Sequence, residues 1–197
     1  MRILALDQSL TATAGVLLET NSPDQLVLGD QYLCRPKGRG IYRMMEIRTW
    51  LDLIIGKCKP CLLVRELHSM RQFGAAGALQ GLAAIMDMLA YENDYFTSSN
   101  YAMIGPGTWK KFCTGKGNLK KDTAYLMKLN KFFEETDWLL TEPGFEVAND
   151  NIADAICLGI TGYFARQLKL GEEIPTTKPT ATALSKTIDQ IFDYGSI

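Results

Sequence analysis

Near the N-terminus, Ile3, Leu4, Ala5 and Leu6 form a strand-length run with no polar alternation, and the run ends on a carboxylate, Asp7. A run of this kind predicts a strand covered on both faces, in the middle of a sheet. Burial strips a carboxylate of its hydration at a cost of several kcal/mol, so Asp7 has to be paired, hydrogen-bonded or bound to a metal. The plainest partner is the backbone N–H of its own turn. Ser9, Thr11, Ala12 and Thr13 read as that turn, and Gly15 to Leu18 as a second strand returning beside the first.

Downstream the pattern repeats. Val27 to Leu33 predicts a third strand after the turn residues Asn21, Ser22, Pro23 and Asp24, which makes a three-stranded antiparallel meander. Ile41, Met44, Met45, Ile47, Leu51, Ile54 and Ile55 then recur at helical spacing until Pro60. Leu62, Leu63 and Val64 form another short apolar run that ends in an acid, Glu66, preceded by Arg65. A crossover helix returns the chain parallel to the first strand, which places Glu66 at the same sheet edge as Asp7, where open α/β sheets bind their ligands. An ordinary surface Glu paired with Arg65 is the alternative. His68, the only histidine, follows in the loop Leu67 to Phe73; a solvent-exposed position is its default, within reach of whatever Glu66 handles.

Gly74 to Tyr91 is apolar and small on nearly every face, so it is expected to be a helix buried on more than one side. It suits either the centre of a monomer or, the reading we favour, a two-fold interface. Tyr101 to Ile104 predicts the last strand, and Gly105-Pro106-Gly107 leads to a short helix with Trp109, Lys110, Lys111 and Phe112. A helix is expected over Lys120 to Phe133, a connecting loop over Trp138 to Phe145, and a long final helix capped by Asn149. Asp150 and Asp154, four apart, lie on one face of it and repel unless a cation lies between them.

With 197 residues, 47% hydrophobic and 22% charged, the chain reads as one globular domain. No apolar run approaches a bilayer's thickness and Arg2 does not begin a signal peptide, so no membrane and a cytoplasmic location are expected. The five cysteines are irregularly spaced, which speaks against a disulfide framework; Cys58 and Cys61 have C-x-x-C spacing but lack the further ligands of a zinc site, and Cys61 is expected to begin a buried strand. A net charge of −1 gives no global attraction to nucleic acid. Yet Lys110, Lys111, Lys116, Lys120, Lys121, Lys128 and Lys131 crowd one segment, around the flexible Thr114-Gly115-Lys116-Gly117-Asn118 loop. The P-loop signature G-x-x-x-x-G-K-[ST] is missing, so no nucleotide cofactor is expected, and neutralising a phosphate backbone suits these lysines better.

Asp7, Glu66, Asp150 and Asp154 make a set of carboxylates with no histidine or cysteine partner near in sequence. Oxygen-only ligation is what Mg²⁺ and Mn²⁺ prefer. Two such ions about 4 Å apart activate water and stabilise the leaving oxygen of a phosphodiester.

In these stretches the sequence resembles the RuvC family of Holliday-junction resolvases, of the ribonuclease H-like superfamily, and is most similar to phage-type members. The residues that carry the resemblance are Leu6 to Gly15, Val64-Arg65-Glu66, Gly105 to Lys111 with Thr114 to Gly117 and Lys120-Lys121, and Asp150 to Ala155, in family order. The resemblance implies an α/β fold with a mixed five-stranded sheet, the meander plus parallel strands, flanked by helices. The match covers about Arg2 to Gln167, which implies a nuclease domain over 1–170; over 171–197 the Pro- and Thr-rich composition itself reads as a linker, and Leu184, Ile188, Ile191 and Phe192 as a short C-terminal amphipathic helix. The resemblance implies a homodimer that nicks symmetry-related strands of four-way junctions or other branched DNA, in the host cytoplasm if phage-encoded. Two Mg²⁺ ions per active site, with Mn²⁺ as substitute, are implied at Asp7, Glu66 and Asp154. Lys110 and Lys121 are implied to contact DNA or the transition-state phosphate, and the loop after Glu66, with His68 and Arg71, the junction. The bacterial acid three residues before the last Asp is Asn151 here; Asp150 is the phage-like substitute and completes the metal set. The bacterial aromatic three residues after the Glu is Ser69, with Phe73 farther on. Three other readings are a less selective branched-DNA or RNA–DNA hybrid nuclease, an inactive junction-binding protein, and an actin-type ATPase, which this length and the absence of glycine-rich phosphate loops disfavour.

Overall fold

A computed structural model of the chain describes residues 1–67, 76–96, 100–122, 124–175 and 178–192. Strands β1 (Arg2–Asp7), β2 (Thr13–Ser22) and β3 (Gln25–Cys34) form the meander, α1 (Ile41–Cys58) crosses over, and β4 (Leu62–Glu66) pairs parallel to β1. Helix α2 (Ala76–Glu92) leads to β5 (Tyr101–Ile104), parallel to β4. Then come α3 (Pro106–Thr114), α4 (Tyr125–Glu134), β6 (Leu139–Leu140), α5 (Asp150–Lys169), α6 (Lys178–Ser185) and α7 (Ile188–Phe192). The sheet order is β5-β4-β1-β2-β3-β6.

Among the described residues the mixed sheet has six strands where five were expected. The extra one lies in the expected Trp138–Phe145 loop: Leu139 and Leu140 pair parallel with Leu26 and Val27, and the Leu26 N–H donates to the Trp138 carbonyl at 2.8 Å. Two residues carry no periodicity from which a strand can be read, and only the neighbouring edge makes them one. Helix α4 starts at Tyr125 rather than Lys120, because the Asp122 carboxylate accepts from the Ala124 N–H at 3.0 Å and turns the chain first. Cys61 is exposed and precedes β4 instead of beginning it in the core. Among the described residues the tail forms two short helices rather than one, and Leu184, Ile191 and Phe192 are buried in the same core as α5.

The sheet separates two apolar layers. On one face Leu4, Leu6 and Leu63 pack with Ile47, Leu51, Leu82 and Met86 of α1 and α2. On the other, Ile3, Ala5, Leu62 and Val64 pack under α5, with Trp109 of α3 and Tyr125, Leu129 and Phe133 of α4 closing the far side. Every residue of α5 from Ile152 to Ala165 is buried. Glycines allow that depth: a Cβ on Gly162 would lie 2.6 Å from Val64 Cγ2, and one on Gly159 2.7 Å from Leu18 Cδ1. Helix α2 buries Leu82, Met86, Leu89 and Ala90 but leaves Met88 and Tyr91 exposed, beside a helix α1 with exposed Tyr42 and Met45.

Candidate active site at the carboxyl edge of the sheet

Side chains alternate along a strand, so Asp7 falls on the face of Ile3 and Ala5, and Glu66 on that of Leu62 and Val64, the face α5 covers. Leu6 pairs with Arg65, which leaves Asp7 and Glu66 as neighbours at the carboxyl ends of parallel strands, as the repeated strand–acid pattern predicts. Asn149 accepts from the N–H groups of Asn151 at 3.0 Å and Ile152 at 3.2 Å, and this cap fixes the start of α5. Asp150 and Asp154 then turn to one cation: Lys121 Nζ lies 3.2 Å from Asp150 Oδ2 and 2.6 Å from Asp154 Oδ2.

Burial sets the electrostatics. Asp7, 7% exposed, is raised well above the ordinary carboxylate pKa by desolvation and by the like charges of Asp154, Glu66 and Asp150, with Lys121 working against them. Among the described residues its carboxylate makes no hydrogen bond or ion pair. Burial also raises Glu66, and the hydrogen bond from Trp109 opposes it. Asp154, 2% exposed, is raised by burial and pulled back by Lys121 and Tyr125. Burial by itself would lower Lys121, but Asp154, Asp7 and Asp150 together raise it, so it is a fixed cation at neutral pH.

A layer of donors behind the acids was not legible in the sequence. Trp109 Nε1 donates to Glu66 Oε2 at 3.0 Å, and the Tyr125 hydroxyl donates to Asp154 Oδ1. On the opposite face of β4, Arg65 forms a fork with Asp87 of α2 (Nε–Oδ1 3.0 Å, Nη2–Oδ2 3.1 Å) and donates to the Glu66 carbonyl at 3.0 Å. Tyr101 joins that fork, donating to Asp87 at 2.5 Å. The ion pair of Arg65 is thus with Asp87, and its contact to Glu66 is to the backbone carbonyl. The one signal available was that a buried Trp or Tyr needs a partner for its polar atom.

Neither a family model nor a curated protein matches the chain in sequence. Solved structures do match in shape. Thermus thermophilus RuvC superposes with a TM-score of 0.63 at 15% identity, over 87% of this chain and 97% of that one. T. thermophilus RuvC in complex with Holliday junction substrate gives 0.64 at 16%, over 87% and 96%. The chain has the fold of the RuvC resolvases. A yeast mitochondrial Holliday junction resolvase, Ydc2, gives 0.55 at 12%, over 96% of this chain and 83% of that one. The sheet-edge acids therefore sit in a scaffold with the fold that the sequence resemblance implies.

In donor chemistry this edge suits a hard divalent cation, because the side chains that meet there, Asp7, Glu66, Asp150 and Asp154, offer carboxylate oxygens. The arrangement is not closed around an ion. Among the described residues no three acidic, histidine or cysteine side chains gather tightly enough to hold one, and the Lys121 ammonium stands between Asp150 and Asp154.

Of the lysines, Lys110 lies with its Nζ 5.3 Å from the Trp109 ring centre, and its charge lowers both Glu66 and Asp154, so it faces the acids. Lys111 lies elsewhere on α3 and lines a cleft of about 370 Å³ with Gly107, Thr108 and Leu184. Lys116 and Lys120 are exposed in the segment between α3 and α4. Lys131 is paired with Glu135 at 3.5 Å on the surface of α4. His68, Ser69, Arg71 and Phe73 lie outside the described residues.

Proposed function

We propose that the chain is a divalent-metal-dependent endonuclease that resolves four-way DNA junctions by paired nicks. The observation that carries the reading is the meeting of Asp7, Glu66, Asp150 and Asp154 at one edge of a RuvC-type sheet, with Lys110 and Lys121 beside them. Asp7, Glu66, Asp150 and Asp154 would hold two Mg²⁺ ions, or Mn²⁺ in their place, and such ions would supply activation of a water and charge stabilisation at the leaving oxygen of the phosphodiester. The chain's own residues do the rest. Trp109 and Tyr125 orient Glu66 and Asp154, and the Arg65–Asp87 fork holds the end of β4 against α2. Lys110 and Lys121 meet the charge of the scissile phosphate, while Lys111, Lys116 and Lys120, with His68 and Arg71, contact the arms of the junction.

We read residues 1–170 as the nuclease unit and 171–197 as a linker with C-terminal helices that clasp it. A second copy of the chain covers the exposed Met88 and Tyr91 of α2 and Tyr42 and Met45 of α1. The two-fold axis so formed presents two acid clusters to the two strands to be cut.

The test is incubation with a synthetic four-way junction, a flap, an RNA–DNA hybrid and a linear duplex, in Mg²⁺ and in EDTA. Cleavage of the junction in Mg²⁺ alone supports the proposal. Equal cleavage of flap or hybrid makes the enzyme a broader nuclease, and tight junction binding without cleavage makes it a binding protein.

A further inference from the structure

Lys121 bonds to the acids in a way that a phosphate contact alone does not explain. Its Nζ bridges Oδ2 of Asp154 and Oδ2 of Asp150, while Tyr125 holds the other oxygen of Asp154, Oδ1. The two donors therefore divide the Asp154 carboxylate: one oxygen is fixed from the helical side by a buried phenol, and the other is taken by an ammonium. Asp154 is 2% exposed, and a buried carboxylate with one neutral donor is costly, so a cation is needed there whether or not a metal is bound. The Lys121 side chain keeps 40% of its surface exposed and belongs to the stretch between the end of α3 and the start of α4. It can leave toward solvent without breaking a helical hydrogen bond.

Resting on the functional reading above, we propose that Lys121 is a resident counter-ion that occupies the cation position of Asp150 and Asp154 and is expelled from it when a divalent metal loads. The metal needs the oxygens that Lys121 holds, so the two compete, and by reciprocity whatever weakens one strengthens the other. Tyr125 is spared by this exchange because it uses Oδ1, so Asp154 keeps its orientation while its second oxygen changes partner. The acids are thereby kept from repelling one another in the metal-free protein, and the freed ammonium emerges beside Lys110.

The experiment is Mn²⁺ binding by the full-length protein, followed by the paramagnetic signal of free Mn²⁺, for wild type, Lys121→Met, Lys121→Arg and Lys120→Met. Lys121→Met should bind Mn²⁺ about tenfold more tightly than wild type and melt at a lower temperature in EDTA. Lys121→Arg, which keeps the cation, should restore both values toward wild type. Lys120→Met loses the same charge without losing the bridge and should change affinity about twofold at most. In the wild type, amine-directed acylation read by mass spectrometry should label Lys121 faster with Mn²⁺ than in EDTA, a result that needs no variant to fold. Wild-type Mn²⁺ binding with unchanged affinity in Lys121→Met, or unchanged labelling, overturns the counter-ion and leaves the nuclease reading standing. No Mn²⁺ binding to wild type overturns both.

Discussion

The indole N–H of Trp109, on α3, donates to the Glu66 carboxylate at the end of β4 at 3.0 Å, across 43 residues of sequence. It fixes the orientation of a side chain that burial would otherwise favour in its neutral form, and it does so from a fully buried ring. Trp109→Phe keeps the ring packing and removes the donor. Nicking or Mn²⁺ affinity should fall about 10–100-fold, the usual effect of losing such a partner, while circular dichroism stays that of the wild type. Undiminished activity would mean that Glu66 is oriented by something else.

Asp7 should be a site of stored strain. Because its folded pKa is raised, the stability it contributes is complete below the ordinary carboxylate range and is lost as pH rises through the folded value. Asp7→Asn escapes that loss, so without metal at neutral pH it should be more stable by about 1–2 kcal/mol. Thermal melting in EDTA, from acid to neutral pH, should show the advantage shrinking toward acid. A variant that melts below wild type at neutral pH contradicts the electrostatic account.

Helix α5 lies against the sheet through glycine. A Cβ at Gly162 would sit 2.6 Å from Val64 Cγ2 and 2.9 Å from Cγ1, both on a buried strand. Gly162→Ala should cost about 1–3 kcal/mol from overpacking, partly masked by the roughly 1 kcal/mol that Ala adds to helix propensity. Urea midpoints should record the net loss, and Val64→Ala in the same chain should recover part of it. Equal midpoints for Gly162→Ala and wild type would mean that the helix can lift.

Lys116 and Lys120 are exposed and among the described residues neither forms an ion pair, so each is available to a phosphate. Replacing either by Ala should weaken junction binding and make the dependence of log affinity on log salt shallower by about one unit. Parallel salt titrations of the two variants and wild type decide it, and unchanged slopes would mark an ordinary solvated face.

How far the sequence reaches can be seen residue by residue. The apolar run before Asp7 and its repetition before Glu66 are backbone-local signals, and two parallel strands joined by a helix turn them into neighbouring acids. The spacing of Asp150 and Asp154 and the Asn149 cap are local in the same sense, so α5 begins where its sequence predicts. Pairings set only by tertiary position were hidden. Trp109 and Tyr125 look like core aromatics in any periodicity, Asp87 looks like one of the few polar residues of an apolar helix, and Leu139–Leu140 is too short to have a pattern. Lys121 was read as one of several phosphate-facing lysines, because nothing in its spacing to Asp154 says that it lies 2.6 Å away.

The central claim is that the sheet-edge carboxylates drive metal-dependent junction cleavage, and Asp7→Asn tests it most directly, since the change keeps the shape of the side chain and removes its charge. The measurement is the nicking of a four-way junction in Mg²⁺, with the cut positions mapped on both strand pairs. Wild type should cut symmetry-related strands, and Asp7→Asn should bind the junction yet leave it intact. Full cleavage by Asp7→Asn would contradict the account.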